Sequence, residues 1–309
     1  MSYTTQIKQE IANNDLYDHC KRAQLSALIQ LTSSLTLSKG GMGILVRSES
    51  PTTAKRTLAL LKDMYGVKTK LQVAKKTNLK KNNVYTIEIY DGARTILEDL
   101  GLFTDKGLQS HPSYSVVSRD CCARAYLGGA FLAYGSCNDP QNISYHLEIS
   151  MSDIEHGNFV VKLLSRFNIE AKITKRRNKY IVYIKKADYV SNFLALIGAH
   201  DSMMIFENER IGRDLKNSVS RIDNCEIANE VKTIRAAQKQ VTFLQKIKDS
   251  NEYEKLDEKL KNVVDIRLKY QDYSLLELCD AYQSLYGTVI SKSGMKHRLN
   301  RLENIAEGL

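Results

Sequence analysis

Between Ser291 and Leu302 the chain carries Lys292, Ser293, Lys296, His297, Arg298, Asn300 and Arg301, and no acid. These side chains are rich in hydrogen-bond donors. The chemistry on offer is contact with phosphate oxygens and base edges. At about 100° per residue, Met295, Leu299, Leu302 and Ala306 share one narrow helical face. Ser293, Lys296, His297, Asn300 and Arg301 fall on the opposite face, with Lys292 and Arg298 flanking the apolar stripe. Residues near the start of such a helix reach bases. This assigns Ser293, Lys296 and His297 to base contact, and Lys292 and Arg298 to phosphates. Ser291 is the predicted N-cap. Sequence puts no Ser, Cys or Asp partner beside His297, so it reads as a contact residue, and no catalytic residue is assigned.

Basic residues recur in two earlier segments. Val67 to Ile87 holds Lys68, Lys70, Lys75, Lys76, Lys80 and Lys81 without an acid. Glu170 to Lys186 holds Lys172, Lys175, Arg176, Arg177, Lys179, Lys185 and Lys186 against Glu170 alone. Lys75, Lys76, Lys80 and Lys81, with Lys175, Arg176, Arg177 and Lys179, are the candidate DNA-backbone contacts. Lys and Arg neutralise phosphates, and a two-stranded ribbon fits a major groove. The six cysteines, Cys20, Cys121, Cys122, Cys137, Cys225 and Cys279, form no C-x-x-C pair. Cys121 and Cys122 are adjacent but have no His at ligand spacing, so they read as small buried hydrophobes. Free thiols, no metal and no cofactor are expected.

The elements that must position these residues follow from a repeat. Leu25 and Leu127 are 102 positions apart, and so are Val67 and Ile169. The first unit reads as a helix (Lys21 to Leu37), a strand (Met42 to Glu49), a helix (Thr52 to Tyr65) ended by Gly66, two strands (Val67 to Ala74, Val84 to Tyr90) and a short helix (Ala93 to Leu100). The second repeats that order: Arg119 to Ser136, Tyr145 to Met151, Asp153 to Phe167, Glu170 to Thr174, Tyr180 to Lys185 and Tyr189 to Ile197. A duplicated αββαββ unit results, each half a curved antiparallel sheet covered on one face by helices. The opening helices carry small residues, Ser26, Ala27, Ser33 and Ser34 in one and Gly128, Gly129, Ala130, Ala133 and Gly135 in the other. Mid-helix Gly costs about 1 kcal/mol relative to Ala, so the glycines argue for close helix packing at a seam.

A long helix, Lys216 to Lys248, reads as a linker. Three helix candidates follow: Glu258 to Tyr270, Ser274 to Leu285 and Ser291 to Ala306. The last two flank a Gly287-containing turn, the outline of a helix-turn-helix spanning about Ser274 to Glu307. The whole is an α+β chain of 309 residues, with 43% apolar residues and a net charge of +10. That charge favours a polyanion, nucleic acid first and an acidic membrane surface second. No run of about 18 apolar residues supports a membrane span, and the N-terminus lacks the apolar core of a signal peptide. A cytoplasmic protein is expected.

The segments L-S-A-L-I-Q-L-T-S (Leu25 to Ser33) and L-G-G-A-F-L-A-Y-G (Leu127 to Gly135) resemble the paired helices of LAGLIDADG homing endonucleases. In that family the eighth position of each motif is acidic and holds divalent metal over DNA. Here the matching residues are Thr32 and Tyr134. No acid occurs between Lys21 and Ser48, and Asp139 lies five residues past Tyr134. A nuclease with paired metals is disfavoured on that chemistry.

A degenerate LAGLIDADG-like domain followed by a helix-turn-helix is similar to the WhiA family. The resemblance is carried by R-A-Y-L-G-G-A-F-L-A-Y-G-S-C-N-D-P (Arg124 to Pro140), F-L-A-L-I-G-A-H (Phe193 to His200), N-S-V-S-R-I-D-N-C-E-I-A-N (Asn217 to Asn229) and I-S-K-S-G-M-K-H-R-L-N-R-L (Ile290 to Leu302). The chain departs from the usual residues at Tyr134 (Gly), Ser220 (Asn), Ile227 (Thr), Lys296 (Asn) and Asn300 (Arg). The resemblance implies an LAGLIDADG-like domain over residues 1–209 (half-repeats about 20–102 and 119–199), a helical linker over 210–250 and a DNA-binding helix-turn-helix over 251–309. It implies a nucleoid-associated binder of double-stranded DNA without cleavage activity. Such a protein acts in sporulation transcription in some bacteria and in cell division and chromosome segregation in others, with RNA polymerase or other regulators as further partners. A metal-dependent endonuclease and an interaction scaffold at the division machinery are the competing readings.

Overall fold

Small residues on facing helices let backbones approach one another, and the first half of the chain is built round one such approach. The computed structural model describes residues 1–38, 41–75 and 83–309. These divide into two units, Met1–Gly212 and Arg213–Leu309. The first starts with α1 (Tyr3–Asn13) and α2 (Asp18–Thr32). It continues through β1 (Ser33–Ser38), β2 (Gly41–Ser48), α3 (Pro51–Tyr65), β3 (Lys70–Lys75), β4 (Asn83–Ile89) and α4 (Ala93–Asp99). A short ribbon, β5 (Phe103–Thr104) and β6 (Gly107–Leu108), leads to the second half. There α5 (Asp120–Tyr134), β7 (Gly135–Cys137), β8 (Leu147–Met151), α6 (Ile154–Ser165), β9 (Lys172–Arg176), β10 (Lys179–Ile184) and α7 (Ala187–Leu196) repeat the order. Then α8 (His200–Lys248) begins in the first unit and ends in the second.

The duplicated αββαββ plan is therefore present, as two antiparallel sheets of order β1-β2-β4-β3 and β7-β8-β10-β9. Alternation sets their buried faces. Ile44 and Val46 pair with Ile89 and Ile87 in one sheet, and Ile149 and Leu147 with Val182 and Ile184 in the other. At the seam a Cβ on Gly129 of α5 would lie 2.5 Å from the Gln24 carbonyl oxygen of α2 and 2.9 Å from Ala27 Cβ. The glycine is there because a backbone occupies the space. Thr53 of α3 ties in by donating to the Leu132 carbonyl at 2.7 Å.

The opening helices are shorter than the sequence predicts. Ser33 and Ser34 belong to β1, and Gly135 to β7, not to the seam. Their segments kept an apolar content that reads as helix, yet the backbone turns into strand and pairs Ser33 with Val46 and Gly135 with Ile149. α1 escaped the sequence reading. It buries Tyr3, Ile7 and Ile11, and Glu10 accepts from the Asp201 and Ser202 amides at 3.0 Å, capping the start of α8.

The second unit contains the end of α8, then α9 (Glu252–Lys255), α10 (Glu258–Lys269), α11 (Leu275–Tyr286) and α12 (Lys292–Glu307). Leu244 and Ile247 of α8 share one core with Val263, Leu278, Met295 and Leu299. Among the described residues no helix is long and apolar enough to cross a membrane.

Two outcomes follow. Gly129→Ala gains about 1 kcal/mol of helix propensity but overpacks the seam at a typical cost of about 1–3 kcal/mol, so its urea midpoint is expected to fall. Gly212→Ala in α8, with nothing within 4 Å of the added Cβ, is expected to hold or raise it. An unchanged Gly129→Ala variant would contradict the packing. Second, Tyr126 Oη and His156 Nε2 lie 2.7 Å apart in the core, and burial pushes the imidazole from its usual 6.5 down to about 4. The unfolded chain binds this proton more readily. His156 therefore contributes stability that is complete above about pH 6.5 and lost as pH falls through 4. The loss is on the order of 3 kcal/mol. His156→Gln is expected to flatten that part of the stability–pH curve in denaturant titrations.

Candidate nucleic-acid interface

Three local devices hold α11 and α12. Ser274 and Glu277 form a capping box: the Glu277 amide donates to Ser274 Oγ at 3.3 Å and the Ser274 amide to Glu277 Oε2 at 2.7 Å. Gly287 ends α11 at φ +65°, a left-handed geometry that favours glycine. Ser291 caps α12 by accepting from the Gly294 amide at 3.1 Å. Met295, Leu299, Leu302 and Ala306 are buried as the periodicity requires. Lys292, Ser293, Lys296, His297, Asn300 and Arg301 are exposed. Ser291 Oγ also lies 3.0 Å from Ser293 Oγ, and Arg301 lies 3.8 Å from Asp257.

Arg298 differs from its neighbours. It is half-buried, donates to Tyr282 Oη at 3.0 Å and lies 5.5 Å from the centre of that ring. The helical wheel put it at the edge of the core stripe, and in the structure it fastens α12 to α11. Arg267 is a second positioning residue, with no signal in its sequence context. Its buried guanidinium donates to the carbonyls of Tyr270, Gln271 and Tyr273, which fixes the loop entering Ser274. Burial pushes its pKa down to about 10, so it stays charged at neutral pH.

In the first unit β9 and β10 meet at a two-residue turn between Arg176 and Lys179, with Arg177 at φ +56°. Lys175, Arg176, Arg177 and Lys179 are all exposed there. On the equivalent hairpin Lys75 is exposed at the end of β3, while Lys76, Lys80 and Lys81 lie outside the described residues. Lys179 Nζ sits 4.9 Å from the centre of the Tyr134 ring. The structure thus brings one predicted backbone contact to Tyr134, the residue at the eighth position of the second motif. Tyr134 lines a cavity of about 450 Å³ with Lys8, Arg47, Ser48 and Glu49. Burial and the nearby Glu49 raise the pKa of its phenol. Burial pushes Lys8 down to about 8. Thr32 is buried and its hydroxyl donates back to the Leu28 carbonyl at 2.6 Å. Asp139 Oδ1 accepts from the Gln141 amide at 3.0 Å.

The opposite end of the seam gathers groups that sequence spacing separates. His19 and Cys20 open α2, Cys121 and Cys122 open α5, and their four ligand atoms lie within 4.8 Å of one another. His19 Nε2 is 3.4 Å from Cys121 Sγ. Cys122 is buried as expected and Cys20 is buried as well, but Cys121 is exposed, against the expectation, and a histidine does stand beside the pair. Local spacing misses this because the ligands meet across the repeat. It is the only group of three or more metal-ligand side chains among the described residues.

Three family profiles match the chain: the WhiA N-terminal LAGLIDADG-like domain over residues 18–103, the WhiA LAGLIDADG-like domain over 123–216 and the WhiA C-terminal HTH domain over 219–306. The probable cell division protein WhiA of Bacillus pumilus (strain SAFR-032) is 41% identical over 310 residues, covering 100% of this chain and 97% of that one. The chain belongs to the WhiA family. The probable cell division protein WhiA of Lysinibacillus sphaericus (strain C3-41) is also 41% identical, covering 100% of this chain and 98% of that one. Full-length WhiA from Thermatoga maritima has the same fold, with a TM-score of 0.58 at 24% identity over 100% of this chain and 99% of that one.

Within this WhiA-family fold, Arg298 tests how α12 is held. A charge-assisted hydrogen bond contributes about 1.5–3 kcal/mol. Arg298→Met is expected to lower the thermal midpoint of the full chain, whereas Lys296→Met on the exposed face stays within about 0.5 kcal/mol of the parent. Equal effects from both would remove the fastening role.

Proposed function

We propose that this WhiA-family chain is a sequence-specific binder of double-stranded DNA that acts in cell division and chromosome segregation and does not cleave its target. The observation that carries the reading is α12. Its core face is buried, its start is capped, and its outer face offers Lys292, Ser293, Lys296, His297, Asn300 and Arg301 to solvent. A donor-rich helix start free of acids suits base edges and phosphates. In this reading Ser293, Lys296 and His297 contact bases, and Lys292 contacts phosphate. Lys75, Lys175, Arg176, Arg177 and Lys179 add backbone contacts. The relatives named as probable cell division proteins support the cellular setting. Thr32 and Tyr134 support the absence of cleavage, because hydrolysis by hard divalent ions relies on carboxylate ligands at those positions. Residues 251–309 form the reading domain in this account, with 210–250 as the helical connection.

Selection of binding sites by the full chain from a random-sequence duplex pool tests the proposal. A consensus is expected, with affinity falling steeply with salt. Lys296→Ala is expected to relax base preference at part of that consensus. Lys292→Ala is expected to weaken all duplexes alike and to lower the salt slope by about 1. Plasmid incubated with Mg²⁺ or Mn²⁺ and the full chain is expected to remain supercoiled. Unchanged affinity in both variants would reject the α12 assignment. Nicking lost on Asp139→Ala would favour the endonuclease reading.

A further inference from the structure

The cluster at the start of α2 and α5 has a composition and a symmetry that packing alone does not require. His19 and Cys20 are the second and third residues of α2, and Cys121 and Cys122 are the second and third residues of α5. Each pair is the repeat-equivalent of the other, at the 102-residue separation that relates His19 to Cys121. Two adjacent side chains from each half therefore converge on one point. Three sulfurs and one imidazole nitrogen make up a Cys₃His donor set of the kind structural zinc takes. Ideal tetrahedral geometry at usual Zn–S lengths of about 2.3 Å spaces sulfurs about 3.8 Å apart. The present limit of 4.8 Å needs contraction of about 1 Å at most, within rotamer adjustment at two helix starts. The His19 ring is already oriented, with Nε2 toward Cys121 and its plane stacked on Tyr17 at 5.7 Å.

We propose that His19 Nε2 and the thiolates of Cys20, Cys121 and Cys122 bind one zinc ion that staples the two half-repeats together at the N-terminal end of the seam. The electrostatics agree with thiolate ligation. Both helix N-termini direct partial positive charge at the cluster, which favours thiolates. Soft sulfur donors select zinc over magnesium or calcium. The site is separate from Thr32 and Tyr134 at the other end of the same helices, and it does not depend on the DNA-binding reading.

The test uses the full chain, reduced and stripped with chelator, then titrated with Zn²⁺ against a chromophoric competitor. One zinc per chain is expected, with a rise in thermal midpoint. Co²⁺ is expected to give the visible bands of tetrahedral thiolate coordination. Loss of an outer-shell partner already costs 10–100-fold in affinity, so Cys121→Ser and His19→Ala are each expected to lose more than about a hundredfold. Both replace residues that are not fully buried, and circular dichroism checks their fold. Cys225→Ser, an exposed cysteine of α8, is expected to bind like the parent. Failure of the reduced chain to take up zinc overturns the proposal. So does parental affinity in both variants, or a disulfide from Cys20 to Cys121 or Cys122 in place of metal in freshly purified protein.

Discussion

The contact between Gly129 and the Gln24 carbonyl is the constraint on which the first unit depends. At Gly129 no side chain fits against the Gln24 carbonyl, so there the approach of α2 to α5 is set by backbone against backbone. Everything positioned by the two helices inherits that distance. Their C-terminal ends feed directly into β1 and β7, the outer strands of the two sheets. Their N-terminal ends bring His19 and Cys20 to Cys121 and Cys122. Gln24 is buried at the seam, and its side chain also accepts from Arg56 Nε at 2.7 Å. The same residue thus couples the seam to α3. A helix propensity cost of about 1 kcal/mol at Gly129 is small beside the packing that the close approach permits.

The C-terminal end of the seam gathers cations around Tyr134 and no pair of acids among the residues lining that cavity. A carboxylate-held metal supplies positive charge to a phosphate and also activates water. Lys8, Arg47 and Lys179 near Tyr134 supply positive charge beside the single carboxylate of Glu49. Helix C-termini carry partial negative charge, which favours cations at this place. The Lys8 ammonium still titrates near neutrality because burial works against its charge.

Much of this was legible in the sequence where one local rule decided the outcome. The Met295, Leu299, Leu302 and Ala306 stripe followed from helical period alone. The duplication followed from the 102-residue register, and Gly66 and Gly287 marked helix ends through their left-handed backbone. The failures share one physical cause, contact between separate elements that no single-element periodicity reports. β1 was absorbed into the preceding helix because its Ser-Leu-Thr-Leu content is decided by pairing with β2. α1 was overlooked because its short apolar stripe becomes meaningful only against Gly128 and Ile197, which lie beside each other in the fold. The wheel gave Arg298 an angle but not Tyr282 as a neighbour.

Duplication itself explains why the two ends of one seam favour different chemistry. A repeat doubles whatever each half supplies. One residue at the eighth motif position of each half makes a pair, which suits a shared hard cation when both are acids; Thr32 and Tyr134 offer no carboxylate for one. Two consecutive residues at the start of each helix make four donors. Consecutive helical residues diverge by about 100° around the axis, so two such pairs facing each other surround a point from four directions, as a tetrahedral ion requires. A pair rule based on C-x-x-C spacing looks for both ligands of a pair in one turn or hairpin. Here adjacency within each half and equivalence between halves replace it. The Gly129 contact lies between the two ends, so the spacing of Thr32 and Tyr134 at one end and of the His19–Cys122 cluster at the other rests on the same close approach.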